Sequence, residues 1–170
     1  MPKKKKKQAK DKGTANEAAS HEFIPRLLTD DEWAHDSVSF PNLTRANAYV
    51  TDPGVYDGYN CIGWSIGDTD LEYDVEAVTG MVEFYKGKGY EEVVARSAAA
   101  EIDLFAVSNG HFASHASKKY TGPRPDGMPA DLWESKIYPG NRMTHGRFEL
   151  EGDRYGVVVK SFRKTAAKAD

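Results

Sequence analysis

A single cysteine in 170 residues, Cys61, sets the first constraint: no intramolecular disulfide can staple this chain, so its fold rests on burying an apolar core. At this length one domain suffices, and 39% hydrophobic with 11% aromatic residues is ordinary globular composition. A lone cysteine suits a reducing compartment better than a small secreted scaffold. No run reaches the roughly 18 apolar residues of a membrane span, and the N-terminus lacks the apolar stretch of a secretory signal. The expectation is a soluble, intracellular, cytoplasmic protein with no membrane contact.

The net charge of −3 is unevenly distributed. Residues 3–12 (KKKKKQAKDK) hold seven lysines and one aspartate, which leaves −9 on the remainder. So acidic a remainder is a poor nucleic-acid binder. Any polyanion contact, or nuclear import, would fall to the lysine-rich tail, and the plainer reading of that tail is a solvated, disordered arm. The expected organisation is a disordered tail over 1–20, one domain over 21–164 and a short C-terminal tail over 165–170.

Between these limits the hydrophobic period changes. Apolar residues between Phe23 and Asp36 suggest a short helix or an N-terminal wrap, and Tyr49 to Gly58 carries turn chemistry in Asp-Pro-Gly and Asp-Gly. Asn60 is a strong N-cap, Ile62 and Ile66 are spaced for a helix, and Gly67 is a plausible stop, placing Cys61 in a first helical turn. Val75, Val78, Met81, Val82 and Tyr85 repeat with helical period behind Asp74 as cap, and Gly87 or Gly89 ends that helix. Strand patterns follow: Ile102–Val107, a turn at Ser108-Asn109-Gly110, His111–Lys119, Leu132–Tyr138, a turn at Pro139-Gly140-Asn141, and Arg154–Phe162. Helices first and an antiparallel sheet afterwards define an α+β protein.

Cys61 at a helix start is where a thiol is activated, since free N–H groups favour the thiolate and a nearby imidazole can take its proton. His115 lies mid-strand, and strict alternation would put Ala113, His115 and Ser117 on one face. The next strand offers Glu134, Ser135 and Lys136 as third groups to orient the imidazole, with register deciding among them. His145 is a further candidate for a third group or substrate contact, although a structural capping role is the plainer reading, as burial in the core is for Cys61 and Trp64. Cys61, His115 and His145 lack the short ligand spacing of a zinc site, and no phosphate-binding glycine loop or Gly-x-Ser-x-Gly elbow is present, so no metal or cofactor is expected.

The blocks Asn60-Cys61-Ile62-Gly63-Trp64, Ser114-His115-Ala116, Trp133-Glu134-Ser135-Lys136-Ile137, Thr144-His145 and Tyr155-Gly156 occur in that order. They resemble a family of small uncharacterised proteins patterned Asn-Cys-Ile-Ala-Trp, Thr-His-Ala-Ala, Trp-Thr-Ser-Lys-Leu-Gly, Ile-x-His and Tyr-Gly. The resemblance covers roughly residues 40–163. This chain departs from it at Gly63, Ser114 and Ile137-Tyr138. The order helix-cysteine, strand-histidine, next-strand polar group is also similar to the papain-like superfamily, with its transglutaminase-like and cell-wall cysteine peptidase branches. That likeness implies a papain-like fold, with N-terminal helices packed on a small antiparallel sheet. It also implies Cys61 as nucleophile, His115 as base and a group near Ser135 or Lys136 as orienter; Asn60, Trp64 and His145 stand beside them as candidate substrate contacts. The expected function is a cysteine hydrolase or acyltransferase acting on a peptide or other amide or acyl bond. The alternative is a non-catalytic binding or interaction module in a papain-like shell.

Overall fold

The alternating segments of the chain find one another in a single sheet. A computed structural model describes residues 23–54, 58–107, 110–137 and 140–167. The strands are β1 (Arg26–Leu27), β2 (Tyr49–Asp52), β3 (Tyr90–Val93), β4 (Ile102–Ala106), β5 (Ala113–Lys119), β6 (Trp133–Lys136), β7 (Arg142–His145) and β8 (Val157–Lys164). Every pairing is antiparallel, in the order β1-β2-β7-β6-β5-β4-β8-β3. The three α-helices are short: α1 (Asp30–Ser39), α2 (Cys61–Ile66) and α3 (Val78–Gly87), with one turn of 3-10 helix at Arg45–Asn47.

The architecture therefore corrects the expected fold class. The described chain is largely β, not an α+β papain-like fold with N-terminal helices, because strands β1 and β2 precede α2 and the helices are interspersed among the strands. The turn-like stretch after Tyr49 begins as β2, since Val50 pairs with both Arg26 and Met143. The expected lysine-rich tail with its polyanion contact, the turn residues Ser108, Asn109 and Pro139, and the last residues 168–170 lie outside the described residues.

Local chemistry explains the helices. Thr29 and Glu32 form a reciprocal capping box at the start of α1, whose first turn carries Asp30, Asp31 and Glu32 against the helix dipole. Asn60 Oδ1 accepts the Gly63 N–H at 3.1 Å to cap α2, and Gly67 ends it in the left-handed region. Asp74 does not cap α3. Residues 76–78 are held extended by the Ala113 N–H donating to Glu76 O and the Val78 N–H donating to His111 O, so the helix starts only at Val78. At Gly63 a Cβ would stand 2.7 Å from the carbonyl oxygens of Asp68 and Leu71, so glycine lets the 68–71 loop rest on α2.

Two cores lie on the two faces of the sheet. Under α2 and α3, Cys61, Ile62, Met81, Val82 and Tyr85 pack with Leu104, Ala106, Ala113, Ala116 and Phe162. On the other face, Phe40, Val50, Phe105, Met143, Leu150, Tyr155 and Val158 pack together. One irregularity decides which residues share a face. Phe105 pairs with His115, but Ala106 pairs with Ala113, so Ser114 is an extra residue on β5. Ser114 Oγ donates to Tyr155 O at 2.5 Å. The bulge breaks strict alternation: Ala113 joins Ala116 and Cys61, while His115 faces the opposite way with Phe105.

Candidate functional site

Cys61 sits at the head of α2 as its sequence implies, yet its surroundings are those of a core thiol. It is 7% exposed, and burial pushes its pKa up to about 11 although the backbone N–H groups of Ala116, Ile62 and Cys61 itself favour the thiolate. His115 lies on the other face of the sheet, its ring parallel to Tyr155 at 4.0 Å and edge-on to Phe105 at 5.5 Å. Among the described residues no hydrogen bond joins Cys61 to an imidazole.

His115 instead belongs to a buried polar chain. Its Nε2 is 2.9 Å from Ser135 Oγ, which is 2.8 Å from His145 Nε2, and His145 Nδ1 is 2.7 Å from Gly146 O. A carbonyl only accepts, so His145 Nδ1 donates. In the neutral ring, Nε2 then accepts the Ser135 hydroxyl proton, and Ser135 oxygen accepts from His115 Nε2–H. Burial lowers both imidazoles, His145 to about 4 and His115 well below its ordinary value, where the charges of His145 and Arg154 add to the effect. Of the expected third groups, Ser135 thus meets His115.

These depressed values carry a sign. Below about pH 6.5 the unfolded chain protonates histidines that the folded chain keeps neutral, so stability is full above that pH and falls as pH drops toward 4. Each imidazole contributes a slope of up to about 1.4 kcal/mol per pH unit across that window. The buried Glu134 carboxyl, raised above its ordinary range, works in the other direction, as one group against two. The urea midpoint is expected to drop clearly between pH 7 and pH 5. An unchanged midpoint would contradict neutral burial of the pair.

The remaining candidates lie on the α2 face or in loops. Asn60, besides capping α2, donates from Nδ2 to Tyr73 O at 2.7 Å, so it pins a loop. Lys136, 1% exposed, donates to Gly140 O at 2.7 Å and Gly54 O at 3.3 Å and lies over the Tyr59 ring. Glu134 pairs across the sheet with Lys118 on one side and Thr144 on the other, and Thr51 Oγ1 donates to its carboxylate. Burial raises Glu134, while Thr51, Arg142 and Lys118 hold it back and Asp52 adds to the rise.

Glu134 and Trp64 open onto a cleft of about 440 Å³, within the size range of small-molecule sites. Its walls are Phe23 and Pro25, Thr51 and Asp52 of β2, Trp64 of α2, Lys118 of β5, the 120–123 turn, and Arg142 of β7. Lys118 Nζ stands 3.6 Å, and the Arg142 guanidinium carbon 3.9 Å, from the centroid of the Trp64 ring. Arg142 is paired with Asp52 at 2.8 Å. Lys118 makes no ion pair or hydrogen bond among the described residues, and burial lowers its pKa. The Trp64 Nε1 and Arg142 Nε atoms are buried without a hydrogen-bond partner. Sequence reasoning missed Lys118, Arg142, Thr51 and Asp52. In the sequence Lys118 shows only as the residue one step out of phase with Ser117 on β5.

Fold and site together define a largely β protein, an eight-stranded antiparallel sheet with a cleft beside its short central helix, lined by the cations Lys118 and Arg142, the carboxylates Asp52 and Glu134, and aromatic rings. The family model described as "Domain of unknown function (DUF7689)" matches residues 49–163, and the chain belongs to that family. The match runs from β2 into β8 and includes every cleft residue except Phe23 and Pro25. None of the curated proteins and none of the solved structures compared with the chain matches it. Among the described residues no three His, Cys, Asp or Glu side chains gather as a metal site, and no helix is long and apolar enough to cross a membrane.

Proposed function

We propose that this protein is a binding module whose cleft takes a small anionic molecule. One observation carries the reading: Lys118, a half-buried cation at the cleft wall, lies over the Trp64 ring and feels the Glu134 carboxylate across the strands, but makes no ion pair or hydrogen bond among the described residues. An ammonium partly drawn out of water without a hydrogen-bonded anion still lacks its strongest contact, and an incoming carboxylate or phosphate oxygen supplies it. Arg142 and the unpartnered indole N–H of Trp64 supply further donor chemistry in the same wall.

The test is thermal. Saturating glutarate or inorganic phosphate is expected to raise the melting temperature of the wild type and of Cys61→Ser alike. Lys118→Met is expected to weaken the apparent affinity about tenfold or more, the scale of a lost charged hydrogen bond. A response to neither anion would overturn the reading, as would a response that Lys118→Met leaves intact.

A second reading, cysteine hydrolysis or acyl transfer on a peptide or other amide, draws on the three backbone N–H groups around the Cys61 sulfur, which would suit a thiolate or an oxyanion. The two readings separate on thiol reactivity.

A further inference from the structure

Lys118 and Thr121 line a second cavity as well as the first. This one, about 250 Å³, lies beyond the end of α2, among Ser65, Ile66 and Gly67, the starts of β3 and β4 at Tyr90 and Ile102, and the strand ends at Lys119 and Lys164. Its charge balance is cationic. Lys118, Lys119 and Lys164 face Glu101, whose carboxylate already accepts the Lys164 backbone N–H at 2.6 Å. Among the described residues none of the three lysine ammonium groups makes an ion pair or a hydrogen bond. Three such lysines around one hollow stand out in a chain whose acidic side chains outnumber its basic ones, 26 to 23.

Between the two hollows the walls change character. The first also carries Phe23, Pro25, Tyr120 and Pro123, apolar surfaces suited to an uncharged stem. Its cations Lys118 and Arg142 lie on the strands near Trp64 beside the carboxylates of Glu134 and of Asp52, which pairs with Arg142, whereas Lys119 and Lys164 lie at the far side of the Lys118–Thr121 sill. We infer that the two hollows form one extended site for an elongated organic dianion, with an acidic group in each hollow and an apolar stem against Tyr120 and Pro123 beside the sill. The inference rests on the reading of the first cleft as an anion site and adds the length and double charge of its ligand.

The experiment uses the full chain and a series of linear α,ω-dicarboxylic acids from four to twelve carbons, each compared by calorimetry with its monomethyl ester. Affinity is expected to rise with chain length to a maximum at an intermediate length. At that maximum the monoester is expected to bind about tenfold more weakly, the scale of one charge-assisted contact. The double variant Lys119→Gln/Lys164→Gln, altered at two exposed positions and checked by an unchanged melting temperature, is expected to reduce diacid affinity to that of the monoester. If diacids and monoesters bind equally at every length, or the double variant changes nothing, the extension is overturned and the first cleft stands as an anion site. If no member binds while inorganic phosphate does, the elongated organic ligand is overturned and a compact anion replaces it. If neither diacids nor phosphate bind, the reading of the first cleft falls as well.

Discussion

Gly156→Ala is expected to destabilise the protein by about 3 kcal/mol or more, enough to leave much of it unfolded at 37 °C. Two penalties coincide at this position. Gly156 has φ of +76°, where an L side chain is strained, and an added Cβ would lie 1.8 Å from the Ala106 carbonyl oxygen and 2.4 Å from its carbon. Ala106 is on a central strand and cannot retreat, because it pairs with Ala113 on one side and Val157 on the other. Gly156 is also tied to Gly152 by two backbone hydrogen bonds of 2.7 and 2.9 Å. Its neighbour Tyr155 stacks on His115, so displacement here disturbs the histidine chain too. Gly87→Ala is the control. It lies at the end of α3 with nothing within 4 Å of the added methyl and no positive φ, and should be neutral or stabilising by up to about 1 kcal/mol. Urea unfolding of both variants checks the pair, and a Gly156→Ala protein as stable as the wild type would contradict the close approach.

Cys61 in the native protein is expected to react with iodoacetamide about a hundredfold more slowly than an unperturbed thiol at the same pH. A rise from 9.0 to about 11 lowers the thiolate fraction by that factor near neutral pH, and 7% exposure slows access further. In mild denaturant the rate should climb to that of a free thiol as the core opens. His115→Ala should leave native reactivity low, because His115 faces the other side of the sheet. A thiol that reacts faster than a free cysteine at pH 6, and loses that speed in His115→Ala, would establish the cysteine-enzyme reading instead.

These expectations show where the sequence was informative. The cap at Asn60, the stop at Gly67 and the strands at Ile102, Trp133 and Val157 follow from local chemistry, and the structure places all of them within a few residues. Strands β1, β2 and β3 have two to four residues each and are defined by distant partners, so local pattern could not reveal them. The facing of His115 was hidden for a different reason. A single bulged residue, Ser114, changes which side chains share a face, and nothing in Ala-Ser-His-Ala marks it. The cleft was the least legible part, because Asp52, Lys118, Glu134 and Arg142 converge from four strands through sheet order, and Trp64 joins them from α2.

The central claim is that anion binding beside Trp64 and Lys118, and not the thiol, is this protein's function. Three tryptophans, Trp33, Trp64 and Trp133, give three indole N–H signals in a nitrogen-15 correlation spectrum. Titration with glutarate is predicted to move the Trp64 signal saturably in the wild type and in Cys61→Ser, and to need about tenfold more glutarate or beyond for the same shift in Lys118→Met. A Trp64 signal that does not move, with shifts gathered instead at Asn60, Cys61 and Ile62, would contradict the claim.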